Sequence, residues 1–337
     1  MNDAQLNSIK NDLRRLFYEN DDFVSLKNKK VFITGASGYI GKWLLLSFAY
    51  LNNVKNYNIE VIATSKNILD CDIIKYLDIN GKFYFENVDV RNPFDIPSDV
   101  NYVIHLAGSP DRRLYASDPL GVISTNIDGT RNVLNAATRV ESLDKILVFT
   151  SGHTHGKIDH VSKEYQASSC LSFAASYTES KKVSETLCHI YERQHQLPIG
   201  IVRPYSFIGP LQKLDRPWAI NNFINGALLN RRIKVIGNPD TRRTFLYSTD
   251  MIHAILCYLI STNSELPLEL GGDEKINLQE LAESIAINVG DDVVIEYYDK
   301  NKETARHDFY PKDNKNCNLR INGIDSAIEK TINWFSM

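Results

Sequence analysis

The sequence has no hydrophobic run long enough to cross a lipid bilayer, because its longest, at residues 43–51, is short and is interrupted by Ser47. It also has no basic excess: 38 lysines and arginines stand against 41 aspartates and glutamates, which gives a formal net charge of −3. Internal repeats and low-complexity linkers are absent from it as well. We therefore expect neither a membrane-bound protein nor one that binds nucleic acid.

Cysteine is scarce and scattered. The cysteines are odd in number and form no Cys-x-x-Cys pair: Cys71, Cys170, Cys188, Cys257 and Cys317. This pattern predicts reduced thiols and a cytoplasmic protein, without a disulfide framework. His153 and His155 are too close together for the helical His-x-x-x-His arrangement, so we predict no metal site.

The first 29 residues are polar and amphipathic, and they lack the apolar core of a signal peptide. Their apolar residues recur at helical spacing: Leu6, Ile9, Leu13, Leu16 and Phe17. We expect an N-terminal helical extension over residues 1–29 that packs on the outside of the following domain. A role in oligomer contacts is the alternative.

The chain does have an alternation of strand and helix patterns, and its 43% hydrophobic composition is enough for a substantial core. Short apolar runs predict strands at residues 31–34, 60–64, 83–88, 102–106, 145–150 and 200–203. Helical patterns between them are typical of an α/β fold with a Rossmann-type doubly wound parallel sheet. We assign residues 30–210 to this dinucleotide-binding domain, with the catalytic residues. Residues 211–337 should form mainly a smaller C-terminal substrate-binding lobe, whose strands can return to the Rossmann sheet.

A glycine-rich loop follows the first predicted strand. Gly35, Gly38 and Gly41 have the spacing Gly-x-x-Gly-x-x-Gly, and a helical pattern begins beside them at Lys42. Glycines let the backbone turn tightly and approach a pyrophosphate, and the free N–H groups of a helix start attract phosphates. The loop therefore predicts a dinucleotide site, and a glycine-rich turn without a ligand is the alternative.

Tyr177 and Lys181 form a Tyr-x-x-x-Lys pattern in a segment with helical periodicity, residues 176–194. Residues four apart share one face of a helix. A lysine ammonium beside a phenol lowers the phenol's pKa from about 10 toward neutrality. Such a tyrosine can act as general base toward a sugar or alcohol hydroxyl, and as general acid in reverse. By itself the pattern is common on ordinary helix surfaces.

Together with Ser151, these two motifs resemble the extended short-chain dehydrogenase/reductases of the nucleotide-sugar epimerase and dehydratase group. The likeness extends from about Lys29 to the C-terminus. Further segments match that group in order: residues 88–91, 104–108, 125–132, 148–151, 203–204 with 209–210, and 243–250. The resemblance implies a Rossmann-type fold, an NAD(P) cofactor and a nucleotide-diphosphate sugar as substrate.

The resemblance and the local sequence together give an expected site. The expected catalytic residues are Ser151, Tyr177 and Lys181, with His153 as a further candidate. The expected cofactor-binding residues are Gly35, Ser37, Gly38, Tyr39, Ile40, Gly41, Ser65, Lys66, Asp89, Val90, Leu106, Ala107, Gly108, Asn126, Tyr177, Lys181, Arg203 and Pro204. The expected substrate-binding residues are Ser151, His153, Ser206, Asn222, Arg243 and Arg306. In this group the arginine at Arg243 binds the substrate's phosphates and the aspartate at Asp89 holds the adenine amino group.

Cofactor type is decided at the end of the second predicted strand. An acidic residue there would hydrogen-bond a ribose 2′-hydroxyl and repel a 2′-phosphate. None is present, and Ser65 with Lys66 could accept the phosphate instead. We expect NAD or NADP, with a slight preference for NADP; a solvated Lys66 without a cofactor role is the alternative.

The implied reaction is redox chemistry at C4 of a nucleotide-linked hexose. We place a nucleotide-sugar 4-epimerase first and an NADPH-dependent 4-keto-sugar reductase second. Dehydratases of this group carry Asp-Glu where this chain has Gly152-His153, and decarboxylases carry glutamate at His153, so a 4,6-dehydratase or decarboxylase would need His153 as a replacement. A non-catalytic NAD(P)-binding sensor or scaffold is disfavoured, because the serine, tyrosine and lysine are all present. A homodimer and a setting in polysaccharide biosynthesis follow from the resemblance alone.

The residues around His153 do not identify which sugar the substrate carries. An imidazole with a pKa of about 6.5, two residues beyond Ser151, could act as a base at C3 or C5. The alternative is a loop histidine bonded to backbone or solvent. His155 replaces the tyrosine of the group's common Val-Tyr-Gly, and Ser206 stands where an asparagine usually meets the substrate.

Overall fold

The structure is a computed structural model that describes residues 1–18, 23–67, 82–158, 165–166, 169–262, 267–299, 305–311 and 322–337, with the backbone alone at 157–158 and 165–166. Cys71 and Cys317 lie outside the described residues. The described cysteines are all free thiols.

The described elements alternate along the chain as the sequence predicts. The α-helices are α1 (Asp3–Tyr18), α2 (Tyr39–Lys55), α3 (Arg112–Ser117), α4 (Pro119–Ala137), α5 (Ala175–His195), α6 (Ala219–Asn230), α7 (Ser248–Ile260), α8 (Leu278–Val289) and α9 (Ile324–Ser336). The strands are β1 (Lys30–Thr34), β2 (Glu60–Ser65), β3 (Phe83–Asn87), β4 (Tyr102–His105), β5 (Lys145–Phe149), β6 (Lys157–Ile158), β7 (Tyr165–Gln166), β8 (Ile199–Pro204), β9 (Ser206–Ile208), β10 (Arg232–Val235), β11 (Arg242–Tyr247), β12 (Leu268–Leu270), β13 (Lys275–Asn277) and β14 (Val294–Tyr297). Two 3-10 turns are also present, at Val24–Leu26 and Gly152–His155.

A seven-stranded parallel sheet forms the centre of the fold, in the order β12-β8-β5-β4-β1-β2-β3. Its central strands are buried on both faces, as expected for near-continuous apolar runs covered by helices. The strand order reverses between β1 and β4, and ligands of doubly wound sheets bind outside the carboxyl ends of the strands at such a point. The predicted α/β Rossmann-type fold class is confirmed.

The second half of the chain builds smaller sheets with their own core. β9, β11 and β13 form one sheet, and β10 pairs with β14. The apolar side chains of α6, α8 and α9 pack with these strands into a separate cluster, which includes Phe223, Ile285 and Ile332. The short strand β12 leaves this half and pairs with β8 at the edge of the seven-stranded sheet. The two halves are therefore joined through a shared sheet edge.

The N-terminal helix α1 packs against α2 and α7. Its apolar face, with Leu16 and Phe17 fully buried, belongs to the same core cluster as Trp43 and Met251. Its polar side also makes specific bonds, because the Tyr247 hydroxyl donates to the Asp12 carboxylate at 2.6 Å. Nowhere in the described part of the chain is a helix both long and apolar enough to cross a membrane.

Candidate active site

The expected cofactor residues lie at one edge of the sheet, after successive parallel strands. Gly35, Ser37, Gly38, Tyr39, Ile40 and Gly41 follow β1, Ser65 and Lys66 end or follow β2, Asp89 and Val90 follow β3, and Leu106, Ala107 and Gly108 follow β4. Because the strands are parallel, their carboxyl ends meet at the same edge. The fold therefore gathers residues that are far apart in the sequence.

Two glycines show that the backbone needs open space at this edge. Gly35 has φ +69°, and a Cβ there would lie 2.7 Å from the backbone nitrogen of Ala107. Gly108 has φ +141°, and a Cβ there would lie 2.9 Å from Asn126 Oδ1 and 3.1 Å from Lys181 Nζ. Residues with a side chain rarely adopt such backbone conformations, and neither position has room for a Cβ. The close approach of β1 and β4 that a dinucleotide site needs is thus built into the loops.

Asn126 supplies a buried oxygen whose hydrogen-bonding capacity is unused. Its amide nitrogen donates to Ser180 Oγ at 2.8 Å, but Asn126 Oδ1 is buried and has no hydrogen-bond partner among the described residues. Buried polar atoms are normally paired, so such an atom calls for an explanation. An acceptor beside the Lys181 ammonium suits a ribose hydroxyl, and these residues fit a nicotinamide dinucleotide.

The opposite end of this edge combines hydroxyls with basic groups. Ser37 Oγ and Ser65 Oγ lie 2.8 Å apart. The exposed Lys66 ammonium lies 3.9 Å from Asp89 Oδ2, and both Asp89 oxygens also accept from the Arg91 guanidinium. The hydrogen bonds from Arg91 lower the pKa of Asp89, so the carboxylate is charged at neutral pH. Arg91 is a basic residue at this end that the sequence did not single out.

Tyr177 lies buried on α5, near Ser151, which caps the turn after β5. Its ring stacks on the ring of Tyr115 from α3, with centroids 5.0 Å apart and planes 16° apart. The stack fixes the phenol from the side opposite the helix. The structure thus brings the expected serine and tyrosine together.

Lys181 lies one turn further along α5, and its ammonium donates to the Phe149 carbonyl at 2.8 Å. Burial lowers the pKa of Lys181 to about 8. Burial also raises the pKa of Tyr177 to about 12, although the Ser151 hydrogen bond acts to lower it. This differs from the sequence-based expectation of a tyrosine with a near-neutral pKa, because desolvation of the buried phenolate is the largest effect on it.

His153 follows Ser151 in the Gly152–His155 turn. Its imidazole stacks on Phe309, with ring centroids 4.0 Å apart. Its ring nitrogens make no hydrogen bond to any described residue. Desolvation, with the charges of Arg112 and Arg243, lowers the pKa of His153 to about 4, so the ring is neutral at neutral pH. A neutral imidazole can orient a substrate hydroxyl but is a weak base.

Two arginines give this side of the site a positive charge. Arg243 in β11 donates to the carbonyls of Arg242 and His307, and burial with the charge of Arg112 lowers the pKa of Arg243 to about 10. Arg112 begins α3 one turn before Tyr115, and its guanidinium has no ion pair or hydrogen bond within the described residues. The pair suits an anionic group such as a diphosphate or carboxylate.

Several expected residues are engaged elsewhere. The Arg203 guanidinium is held by two carboxylates, at 2.6 Å from Glu185 and 3.0 Å from Glu269. Arg306 forms an ion pair with Asp308 at 2.7 Å. Three further expected residues lie as follows. Pro204 ends β8, Ser206 begins β9 beside β11, and the side chain of Asn222 is exposed on α6.

Besides Arg91, four residues at the site were missed from the sequence: Arg112, Tyr115, Glu269 and Phe309. Each comes from an element that reaches the site only through the tertiary fold. Phe309, for example, is placed by a single bridge to Arg243 in β11. Apart from the position of Arg112 and Tyr115 shortly after the fourth strand, the sequence carried no signal for them. No group of three or more His, Cys, Asp or Glu in the described ranges could hold a metal ion.

Comparison with protein-family models gives a match to the NAD dependent epimerase/dehydratase family over residues 31–269. UDP-glucuronic acid decarboxylase 6 of Arabidopsis thaliana is 28% identical over 283 residues, which cover 83% of this chain and 80% of that protein. UDP-N-acetyl-alpha-D-glucosaminuronate decarboxylase of Bacillus cytotoxicus is 30% identical over 206 residues, 59% of this chain and 62% of that protein.

Solved structures of nucleotide-sugar epimerases share the fold. UDP-glucuronic acid 4-epimerase from Bacillus cereus, solved with UDP-glucuronic acid and NAD, superposes with a TM-score of 0.74 at 23% identity, covering 91% of this chain and 99% of that one. UDP-N-acetylglucosamine 4-epimerase from Methanobrevibacter ruminantium M1, solved with UDP-N-acetylmuramic acid, gives 0.77 at 18% identity, covering 92% and 99%.

Proposed function

Because the chain belongs to the NAD dependent epimerase/dehydratase family, we propose that it carries out redox chemistry at C4 of a nucleotide-linked hexose, as a nucleotide-sugar 4-epimerase. The observation that carries the proposal is that Ser151, Tyr177 and Lys181 come together at the carboxyl edge of the sheet. Tyr177 and Lys181 are one helical turn apart on α5, and the Lys181 ammonium donates to the carbonyl of Phe149 in β5 at 2.8 Å. Oxidation at C4 requires a base, a hydroxyl that hydrogen-bonds the reacting oxygen and a nearby cation, and Tyr177, Ser151 and Lys181 can supply these in turn.

Each chain residue has a defined task in this proposal. Tyr177 accepts the proton of the C4 hydroxyl and later returns it, while Ser151 hydrogen-bonds the same oxygen. The Ser151 hydrogen bond offsets part of the rise in the Tyr177 pKa that burial causes. The Lys181 ammonium, one helical turn away on α5, would favour the phenolate form. When bound, NAD(P) supplies the acceptor and the donor of the C4 hydride. Asn126 Oδ1 would accept from a ribose hydroxyl, and the N–H groups at the start of α2 would meet the pyrophosphate.

The cofactor is NAD or NADP, and we favour NADP slightly. The absence of a carboxylate at Ser65 removes the usual repulsion of a 2′-phosphate, and Lys66 and Arg91 supply positive charge close by. Solved relatives contain NAD, which is why both cofactors belong in the test.

Arg243 is proposed to bind the substrate's diphosphate, with Arg112 as a second cation beside the sugar. Ser206 and Asn222 would line the substrate site on the same lobe. Arg306, which is paired with Asp308, would be a further cation for the diphosphate. Decarboxylation of a nucleotide uronic acid is the second candidate function. The observation that favours it is the similarity to UDP-glucuronic acid decarboxylases. Arg112, whose guanidinium has no ion pair among the described residues, also suits a sugar carboxylate.

The test is to denature the purified protein, identify any released cofactor by mass spectrometry, and incubate the native protein with UDP-, dTDP-, GDP- and CDP-hexoses and UDP-glucuronic acid. An isomeric product supports the epimerase, and loss of CO2 supports the decarboxylase. In a parallel assay with added NADPH, consumption of NADPH with 4-keto nucleotide sugars alone would replace both with a reductase. Cofactor binding without turnover of any sugar would contradict the enzyme proposal and favour a sensor.

Tyr177→Phe should lower turnover by about 10²- to 10⁴-fold and still bind the cofactor, because it removes the proton-transfer hydroxyl but leaves the glycine-rich loop, Asn126 and Lys181 in place. Tyr84→Phe, on the exposed face of β3, is the matched control and should keep wild-type turnover. Wild-type turnover in the Tyr177 variant would contradict the role of this phenol.

We also propose a homodimer formed through α4 and α5. Apolar side chains are exposed on both helices: Leu120, Ile123, Val183 and Ile190. The two helices pack against each other, and a partner subunit that covers both would bury these side chains.

A further inference from the structure

The carboxylate of Glu269 lies between two parts of the catalytic loop. Residues 151–156, here called the serine turn, contain Ser151 at one end and His155 near the other. Glu269 Oε1 lies 2.9 Å from His155 Nε2, which is also 3.2 Å from Arg203 Nη1; in the tautomer with a proton on Nε2, the ring donates to the carboxylate. Thr154 closes the same turn by donating from its hydroxyl to the Ser151 carbonyl at 2.8 Å. The far end of the turn is thus tied to β12.

The second oxygen of the same carboxylate holds the near end of the turn. Tyr205 donates its hydroxyl to Glu269 Oε2 at 2.7 Å. The Tyr205 ring lies so close to Gly152 that a Cβ there would be 2.5 Å from a ring carbon. The ring also packs on Phe309, which in turn stacks on His153. Glu269 therefore bonds His155 at one end of the serine turn and, at the other end, Tyr205, whose ring packs on Gly152.

Arg203 also holds Glu269 in place, because its Nη1 donates a hydrogen bond to Glu269 Oε1 at 3.0 Å. Arg203 bonds Glu185 on α5 with its other nitrogens, and Thr150, next to Ser151, donates to Glu185 at 2.8 Å. Burial acts to raise the pKa of Glu269, but the hydrogen bonds from His155, Tyr205 and Arg203 outweigh it and keep the pKa below its usual value. The group that holds the turn is therefore a carboxylate with well-defined partners.

We propose that Glu269 is a positioning residue, whose two carboxylate oxygens hold the serine turn at both ends and so set the Ser151 hydroxyl and the His153 ring against the substrate. Its effect on turnover rests on the proposed function, whereas its effect on the turn does not. The chemistry makes a sharp demand, because a hydroxyl misplaced by about 1 Å can cost about 10²-fold in rate.

The direct test is amide hydrogen exchange of the serine turn. His153 N donates to Ser151 Oγ, Thr154 N to the Ser151 carbonyl, and Gly156 N to the His153 carbonyl. In Glu269→Leu these three amides should exchange about ten-fold faster or more, because the turn loses its two ties. Glu269→Gln keeps an acceptor for His155 and should stay within about three-fold of wild type.

Glu60→Leu is the matched control. Glu60 pairs with Lys30 at 2.7 Å at the amino ends of β1 and β2, on the opposite edge of the same sheet. It should leave exchange in the serine turn unchanged. Unchanged exchange in Glu269→Leu, faster exchange spread over the whole chain, or equal effects of the leucine and glutamine variants would each overturn the proposal.

Kinetics supply the second readout. With a turned-over substrate, Glu269→Leu should lower kcat by about 10²-fold and change KM by less than about three-fold, because the hydroxyl contact strengthens in the transition state. A change confined to KM would overturn the positioning role. If the wild-type protein turns over no nucleotide sugar, the proposed function fails and the exchange comparison alone decides the inference.

Discussion

At the scale of single residues, His105 is a buried group that links β4 to β1 and to α4. Its Nδ1 lies 2.7 Å from Thr34 Oγ1, and its Nε2 lies 3.3 Å from Thr130 Oγ1. Desolvation, with the charge of Lys181, lowers the pKa of His105 to about 3. Below its unfolded pKa of about 6.5, the unfolded chain binds a proton that the folded protein does not.

Lowering the pH therefore destabilises the folded protein. The stability contribution of His105 is complete above about pH 6.5 and is lost as the pH falls toward 3, by up to about 1.4 kcal/mol per pH unit. His105→Asn cannot titrate in this range, so its free energy of unfolding should fall less steeply with acid. Urea unfolding at several pH values measures the two slopes. Parallel slopes would contradict a depressed His105 pKa.

Lys66 tests the cofactor preference at a single position. Its ammonium is exposed and lies near Asp89, where a 2′-phosphate would add a second anionic partner. Lys66→Ala should weaken NADP binding by about five-fold, the value of one exposed charge contact, and leave NAD binding unchanged. Calorimetric titration with both cofactors measures this. Lys234→Ala, an exposed lysine on β10, is the control; equal losses for NAD and NADP would rule out phosphate recognition by Lys66.

The sequence predicted residues whose chemistry is carried by local spacing. Tyr177 and Lys181 are one helical turn apart, and the structure brings Ser151 to them. Glu269 could not be predicted, because its partner His155 is 114 positions away and the pair exists only once β12 joins the sheet. Arg112 resembles any exposed arginine until α3 is placed beside the site.

At the scale of elements, Lys145 connects the start of β5 to the end of α7. Its buried ammonium donates to the carbonyls of Tyr258 and Ser261, each at 2.8 Å, and lies over the Tyr258 ring at 4.6 Å. Burial lowers the pKa of Lys145 to about 8, so it is still charged at neutral pH. A cation at a helix C-terminus satisfies carbonyls that have no partner within the helix.

Lys145→Met keeps most of the length of the side chain but removes all of its hydrogen-bond donors. It should lower the free energy of unfolding by about 1–3 kcal/mol, because carbonyls at the end of α7 lose their bonds in a site that excludes water. Chemical denaturation at neutral pH measures the difference. Lys234→Met should change stability little, and an equal loss in both variants would contradict a specific capping role.

The strands of the first half were predictable because each is a buried apolar run between turn signals. β12 was not, since it has three residues and Glu269 in its middle interrupts the apolar pattern. Its place at the sheet edge is fixed instead by pairing with β8, which local sequence does not encode. Short edge strands of this kind depend on tertiary context more than on propensity.

At the scale of the whole molecule, α1 joins the two ends of the chain. Trp334 on α9 donates to the Gln5 carbonyl at 3.1 Å, and Asn2 donates to the Met337 carbonyl at 2.9 Å. The amphipathic pattern of the first residues predicted a helix and its buried face. It did not identify the partner, because the contacts with α9 join residues 329 or more positions apart.

The proposed dimer belongs to the same scale. Val183 and Ile190 lie two turns apart on α5 and are each 40% exposed, so both fall on one outward stripe. Glutamate at both positions would place unpaired charges in the interface, which is costly to desolvate. We expect the Val183→Glu/Ile190→Glu protein to be a monomer by light scattering where the wild-type chain is a dimer. Leu229→Glu/Ile287→Glu, at more exposed apolar positions on α6 and α8, should remain dimeric. A monomeric wild-type chain, or dissociation by both pairs, would remove α4 and α5 as the interface.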